Sequence, residues 1–117
     1  MRHQKSIKNL DRNHAARAAL LRTQAISLIM HGHMRTTKAK AQSTRPLVER
    51  LITRAKRNTE SSRRYLLACL DNVPAVNHLI TVVAPLMKDR NGGYTRMTKL
   101  GFRKGDGAEL VQIDFVK

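Results

Sequence analysis

The sequence predicts a two-layer α+β fold, with helices packed on one face of a small sheet and a basic arm at the N-terminus. Three observations carry this. Apolar residues recur at helical spacing as far as Pro85, the period changes to strand-like alternation in the last third, and residues 1–12 hold almost nothing apolar. With only Met1, Ile7 and Leu10 as anchors, that first stretch cannot offset its ordering entropy, so it is expected to be an arm that orders on a partner. Residues 13–117 form the single globular domain that the length allows.

Asn13 is a helix N-cap, and Ala15, Ala18, Ala19, Leu21, Ala25, Leu28 and Ile29 lead at helical spacing to Gly32, a natural stop. Arg17 and Arg22 face solvent or RNA on that helix. Met34 to Thr37 is a short extended piece, and Thr37 can cap the element after it. The stripe of Leu47, Val48, Leu51, Ile52 and Ala55 marks a second helix, which starts either near Lys38 or at Pro46. A short helix is expected from Ser62 to Leu70. Another is capped by Asn72, with Pro74 in its first turn and Pro85 near its end. Tyr94 to Leu100 and Ala108 to Val116 read as strands, the second with Val111, Ile113 and Phe115 on one face and Gln112 and Asp114 on the other. "GFRKGDG" joins them and is long for a tight hairpin, so its tip is expected to be flexible.

Composition narrows the partner. Aromatics make up 3% of a chain that is 41% hydrophobic, so the core must be aliphatic. A net charge of +15 is self-repelling in a small domain and implies an anionic partner. Residues 1–64 hold 16 basic and 3 acidic side chains, whereas residues 65–117 hold 7 and 5, which places the electrostatic footprint mainly in the first half. Nucleic acid suits an Arg-heavy set without aromatic interfacial anchors better than a membrane does. The single cysteine, Cys69, rules out an intrachain disulfide and fits a reducing compartment as a small buried apolar residue. There is neither an apolar run of membrane-span length nor a secretory h-region, although a basic, acid-poor start also fits a transit peptide by composition.

Candidate chemistry is thin. "NGGYTR" lacks the lysine and the following helix of a phosphate-binding P-loop, so Gly92 and Gly93 are read as a loop that lets a phosphate backbone approach beside Arg90, Arg96, Lys99, Arg103 and Lys104. His31 and His33 form an HxH pair without the further ligands a metal site needs. Glu49, Glu60 and Asp71 read as ion-pair or capping residues. Tyr94 could stack on an unpaired base or lie in the core.

In their order, "MRH", "KS", "RNHAAR", "TT", "LITRAKR" and above all "GGYTR" followed by "GFRKGDGA" make the chain resemble the bacterial large-subunit ribosomal protein seventeen family over its whole length. The resemblance implies a two-layer fold around a three-stranded mixed sheet and no catalysis, cofactor or metal. It also implies assembly against large-subunit ribosomal RNA near the peptide exit side, among neighbouring ribosomal proteins. By matching position, Arg2, His3, Lys5, Arg12 and Arg17 correspond to an RNA-facing arm and helix start, to which Lys8 and Arg22 add charge. Thr36, Thr37 and Lys40 correspond to the turn into the second helix. Gly92, Gly93, Tyr94, Thr95, Arg96, Gly101, Arg103, Gly105 and Asp106 correspond to the hairpin, with Lys99 and Lys104 beside them. The expected function is therefore that of a structural, RNA-binding ribosomal constituent in translation, in the cytoplasm, with an organellar ribosome as the alternative the sequence leaves open. A DNA-compacting architectural protein and a small basic nuclease built on the histidine pair are the alternatives that the charge and the histidines keep open.

Overall fold

The structure, a computed structural model, describes residues 10–116. The first helix, α1, spans His14–His31: the Asn13 side chain accepts from the Ala16 amide, and Gly32 closes the helix at φ 80° with its N–H on the Leu28 carbonyl. Of its apolar positions Ala25, Leu28 and Ile29 are fully buried, while Ala15, Ala18 and Ala19 are exposed. The N-terminal half of α1 therefore stands clear of the core and owes its shape to the helix preference of alanine and the Asn13 cap.

Strand β1 (His33–Thr37) leads without a loop into α2 (Lys38–Arg57), so the second helix starts well before Pro46 and carries that proline inside it. Thr37 occupies the N-cap position without a side-chain capping bond. The stripe is as expected, with Val48, Leu51, Ile52 and Ala55 buried, and Ala41 and Thr44 join it. Helix α3 is Glu60–Leu70, two residues longer at its start than Ser62, because the Thr59 hydroxyl accepts from the Ser62 amide and sets the first turn. Asn72 caps α4 (Val73–His78) through the Ala75 amide. The rod continues as a π-helical turn, Leu79–Val83, and a short helix, α5 (Ala84–Leu86). The π turn falls where Pro85 has no amide proton for the preceding turn, and the Ala84 N–H reaches back to the Leu79 carbonyl. No helix among the described residues is long and apolar enough to cross a membrane.

Strands β2 (Thr95–Phe102) and β3 (Glu109–Phe115) form the hairpin, and the sheet order is β1-β3-β2. The α+β architecture agrees with expectation, with one correction: both pairings are antiparallel, so the sheet is not mixed. The hairpin fixes the β2–β3 direction. β1 lies on the other side of β3 and runs the same way as β2, so no two neighbouring strands among the described residues are parallel. Val111 and Ile113 of the central strand meet Val48, Leu51 and Ile52 of α2 in one aliphatic core with Leu66, Leu70, Val76 and Leu79. Burying each such side chain contributes about 1.5–3 kcal/mol before entropy is counted. Cys69 is partly buried against this core.

Candidate nucleic-acid interface

Strand alternation decides which side chains leave the core. Residues paired across an antiparallel ladder share a face, so Met34, Ile113 and Met97 point toward the helices, while His33, Asp114 and Arg96 point away, as do Arg35, Gln112 and Thr98. Helices cover only the first face. The second is open and polar, and with His31, Gly32 and Phe115 the residues His33, Arg35, Arg96, Gln112 and Asp114 line a depression of about 600 Å³. A chain of hydrogen bonds crosses its floor: Arg35 Nε donates to Gln112 Oε1 at 3.2 Å, and Gln112 Nε2 to Asp114 Oδ1 at 2.9 Å. Arg96, opposite Asp114 in register, makes no ion pair among the described residues and remains available to an anion. His31 and His33 sit at this rim, and no three His, Cys, Asp or Glu side chains converge as a metal site would need among the described residues.

The "GGYTR" stretch divides by exposure. Gly92 and Gly93 are exposed, Tyr94 and Thr95 are each 3% exposed, and Arg96 is exposed again. The Tyr94 phenol oxygen accepts from Lys56 Nζ at 3.2 Å and lies 3.5 Å from the Thr53 hydroxyl. The bond from Thr53, then the Lys56 ammonium, holds that phenol below its ordinary pKa against the effect of burial. Thr95 donates to Glu49 Oε2 at 3.2 Å, and Glu49 also meets Arg45 at 3.8 Å. Tyr94, for which the sequence left a base-stacking place and a core place open, lies in the core; with Thr95 it bolts the start of β2 to α2, and through that anchor the two position Gly92, Gly93 and Arg96. Thr36 is similarly occupied, accepting from Gln24 Nε2 at 3.1 Å, while Thr44 donates to Gln24 Oε1 at 2.6 Å. Gln24 of α1 thereby holds both β1, through Thr36, and α2, through Thr44.

The hairpin tip is held closed. Arg103 Nε donates to Asp106 Oδ1 at 3.1 Å, the Ala108 amide donates to the same carboxylate, and the Arg103 amide reaches the Ala108 carbonyl at 2.8 Å. Arg103 holds the Asp106 carboxyl down at about 2. The tip expected to be flexible is thus a hydrogen-bonded loop, from which Lys104 projects without an ion pair among the described residues. Lys99 meets Glu109 at 3.9 Å, and Glu109 also meets Lys38 at 3.6 Å.

Among the other expected contacts, Arg12 is exposed, Arg17, Arg22, Thr37 and Lys40 are half-buried, and Arg2, His3, Lys5 and Lys8 lie outside the described residues. Two groups went unnoticed in the sequence. Arg35 shares the open sheet face, and β alternation from Met34 could have placed it there. Arg54 stacks over the Tyr65 ring at 4.1 Å, beside Arg50 and Gly92 in a second depression; that contact joins α2 to α3 and left no local signal.

A sequence profile described as Ribosomal protein L17 matches residues 20–116. The chain belongs to the ribosomal protein L17 family. Its similarity to curated relatives runs nearly end to end. It is 46% identical to large ribosomal subunit protein bL17 of Campylobacter jejuni over 99% of both chains. It is 47% identical to the bL17 of Akkermansia muciniphila over 99% of this chain and 85% of the relative. The bL17 of Orientia tsutsugamushi is 44% identical over 99% of this chain and 80% of its own length. Membership makes the chain a ribosomal protein, a structural component and not an enzyme.

Proposed function

We propose that this L17-family chain is a structural constituent of the large ribosomal subunit in the cytoplasm, and that it binds large-subunit ribosomal RNA and stabilises the particle during translation. Its partners are that RNA and neighbouring large-subunit proteins. The observation that carries the RNA reading is how charge is partitioned. Glu49, Glu60, Asp106 and Glu109 are each spent on an internal ion pair, whereas Arg22, Lys40, Arg50, Arg57, Arg63, Arg96 and Lys104 make none among the described residues. Cations left over in this way replace the counterions condensed on phosphates, fixing position and shape while reading little sequence.

The footprint we assign runs from the exposed half of α1, with Arg12, Arg17 and Arg22, to the open sheet face and the hairpin tip. The arm, residues 1–12, orders along a phosphate groove and adds Arg2, His3, Lys5 and Lys8. Gly92 and Gly93 let a backbone come close beside Arg96.

Binding of the full chain to a large-subunit ribosomal RNA transcript, measured across a salt series, tests this. Arg96→Ala and Lys104→Ala are suited to it, because Arg103 is already committed to Asp106. Each should weaken affinity and lower the log-log salt slope by roughly one unit. Unchanged slopes would turn these cations toward protein or solvent, and duplex DNA bound as tightly as the transcript would favour an architectural protein of DNA.

A further inference from the structure

We infer that Phe102, near the tip of the hairpin, is a stacking platform for an unpaired RNA base. The inference rests on the RNA-binding reading and adds to it a contact that charge alone does not supply.

β1 ends at Thr37, opposite Leu110, so the pair Phe102–Glu109 lies beyond the third strand, in a two-stranded extension. The register also slips between Lys99 and Gly101, where Gly101 at φ 130° adopts a backbone that a side chain would strain. Phe102 is consequently 75% exposed, the most exposed large hydrophobic residue described, with Leu100 at 46% beside it. The only other phenylalanine, Phe115, packs against the core. A singly exposed apolar residue is ordinary; what sets Phe102 apart is its place on a bulged, two-stranded extension whose loop is closed by Arg103 and Asp106.

The hairpin is also preorganised. The Arg103–Asp106 ion pair, the Ala108 amide on Asp106 and the two backbone bonds between Arg103 and the residues Gly107 and Ala108 close the loop next to the ring. A base that stacks there meets a surface whose ordering has already been achieved in folding.

Charge decides between a base and an apolar protein pocket. Both acids near the ring are neutralised, Asp106 by Arg103 and Glu109 by Lys38 and Lys99, while Lys104 is unpaired among the described residues. A protein pocket closing over Phe102 would have to desolvate these cations. A nucleotide brings a phosphate to them and a π-face to the ring, and every base has such a face.

The test uses the full chain, the large-subunit ribosomal RNA transcript, and Phe102→Leu beside Phe102→Trp. Because Phe102 is exposed, all variants should unfold at the wild-type denaturant midpoint. Stacking predicts that Phe102→Leu loses roughly tenfold in affinity with an unchanged salt slope, that Phe102→Trp retains the affinity, and that Lys104→Ala, by contrast, weakens binding and lowers the slope. Equal affinity for wild type and Phe102→Leu would overturn the inference while leaving the RNA reading intact. If Phe102→Leu also kept its RNA affinity but lost incorporation into large subunits, the ring would belong to a protein pocket and the inference would again fail. A wild-type chain without salt-dependent binding to the transcript would remove the RNA reading itself.

Discussion

Lys56 is a basic residue that serves the fold before it can serve a ligand. Its ammonium donates to the Arg90 carbonyl and to the Tyr94 hydroxyl, and it lies 5.1 Å from the centre of the Tyr94 ring. One side chain of α2 thereby pins both ends of the Gly92–Gly93 loop, and the positions expected to touch RNA become a support for those that can. Tyr94→Phe separates the two roles. Loss of the phenol oxygen should cost about 1 kcal/mol in denaturant unfolding, because Lys56 keeps its carbonyl partner, and RNA affinity should not change. Full stability with impaired RNA binding would return Tyr94 to the interface. The sequence shows that "GGYTR" is special but not how it is divided, since the partners of Tyr94 and Thr95 lie 38 to 46 residues away, at Glu49, Thr53 and Lys56.

At the scale of elements, the hairpin loop carries its own electrostatic lock. Arg103, then the Ala108 amide, holds the Asp106 carboxyl at about 2 against an ordinary 3.8. A carboxyl lowered on folding gives its full contribution above the ordinary value and loses it as pH falls through the folded one. The side-chain resonance of Asp106 should therefore titrate near 2, and protection of the Ala108 amide should decline between about pH 4 and pH 2. A midpoint near 3.8 would mean that the loop is open in solution. The helices with local signals were legible: Asn13, Asn72 and Gly32 cap or stop them through bonds to residues three or four positions away, whereas the Thr59 cap that starts α3 two residues before Ser62 was missed. What sequence could not supply was long-range. Continuity of α2 through Pro46 depends on burial of Ala41 and Thr44, and the antiparallel sense of β1 depends on its seat beside β3.

For the whole molecule, the aliphatic core and the charge are complementary parts of one design. Helices cover one face of the sheet and bury Val111 and Ile113, which leaves the other face and the hairpin to carry Arg96 and Lys104, cations without an ion pair among the described residues. The net +15 that the sequence displays is thus not spread at random: of its eight acids, Glu49, Glu60, Asp106 and Glu109 are held in ion pairs within the fold, while cations such as Arg96 and Lys104 make none among the described residues. A domain so charged gains stability by binding an anion, since any ligand specific for the folded state shifts folding toward it. The most direct measurement is to fractionate a native lysate on a sucrose gradient, wash the large subunits with high salt, and quantify this chain by mass spectrometry. A structural protein of the large subunit should be found at one copy per large subunit, retained through the wash; absence from that fraction, or recovery with chromosomal DNA, would contradict that role.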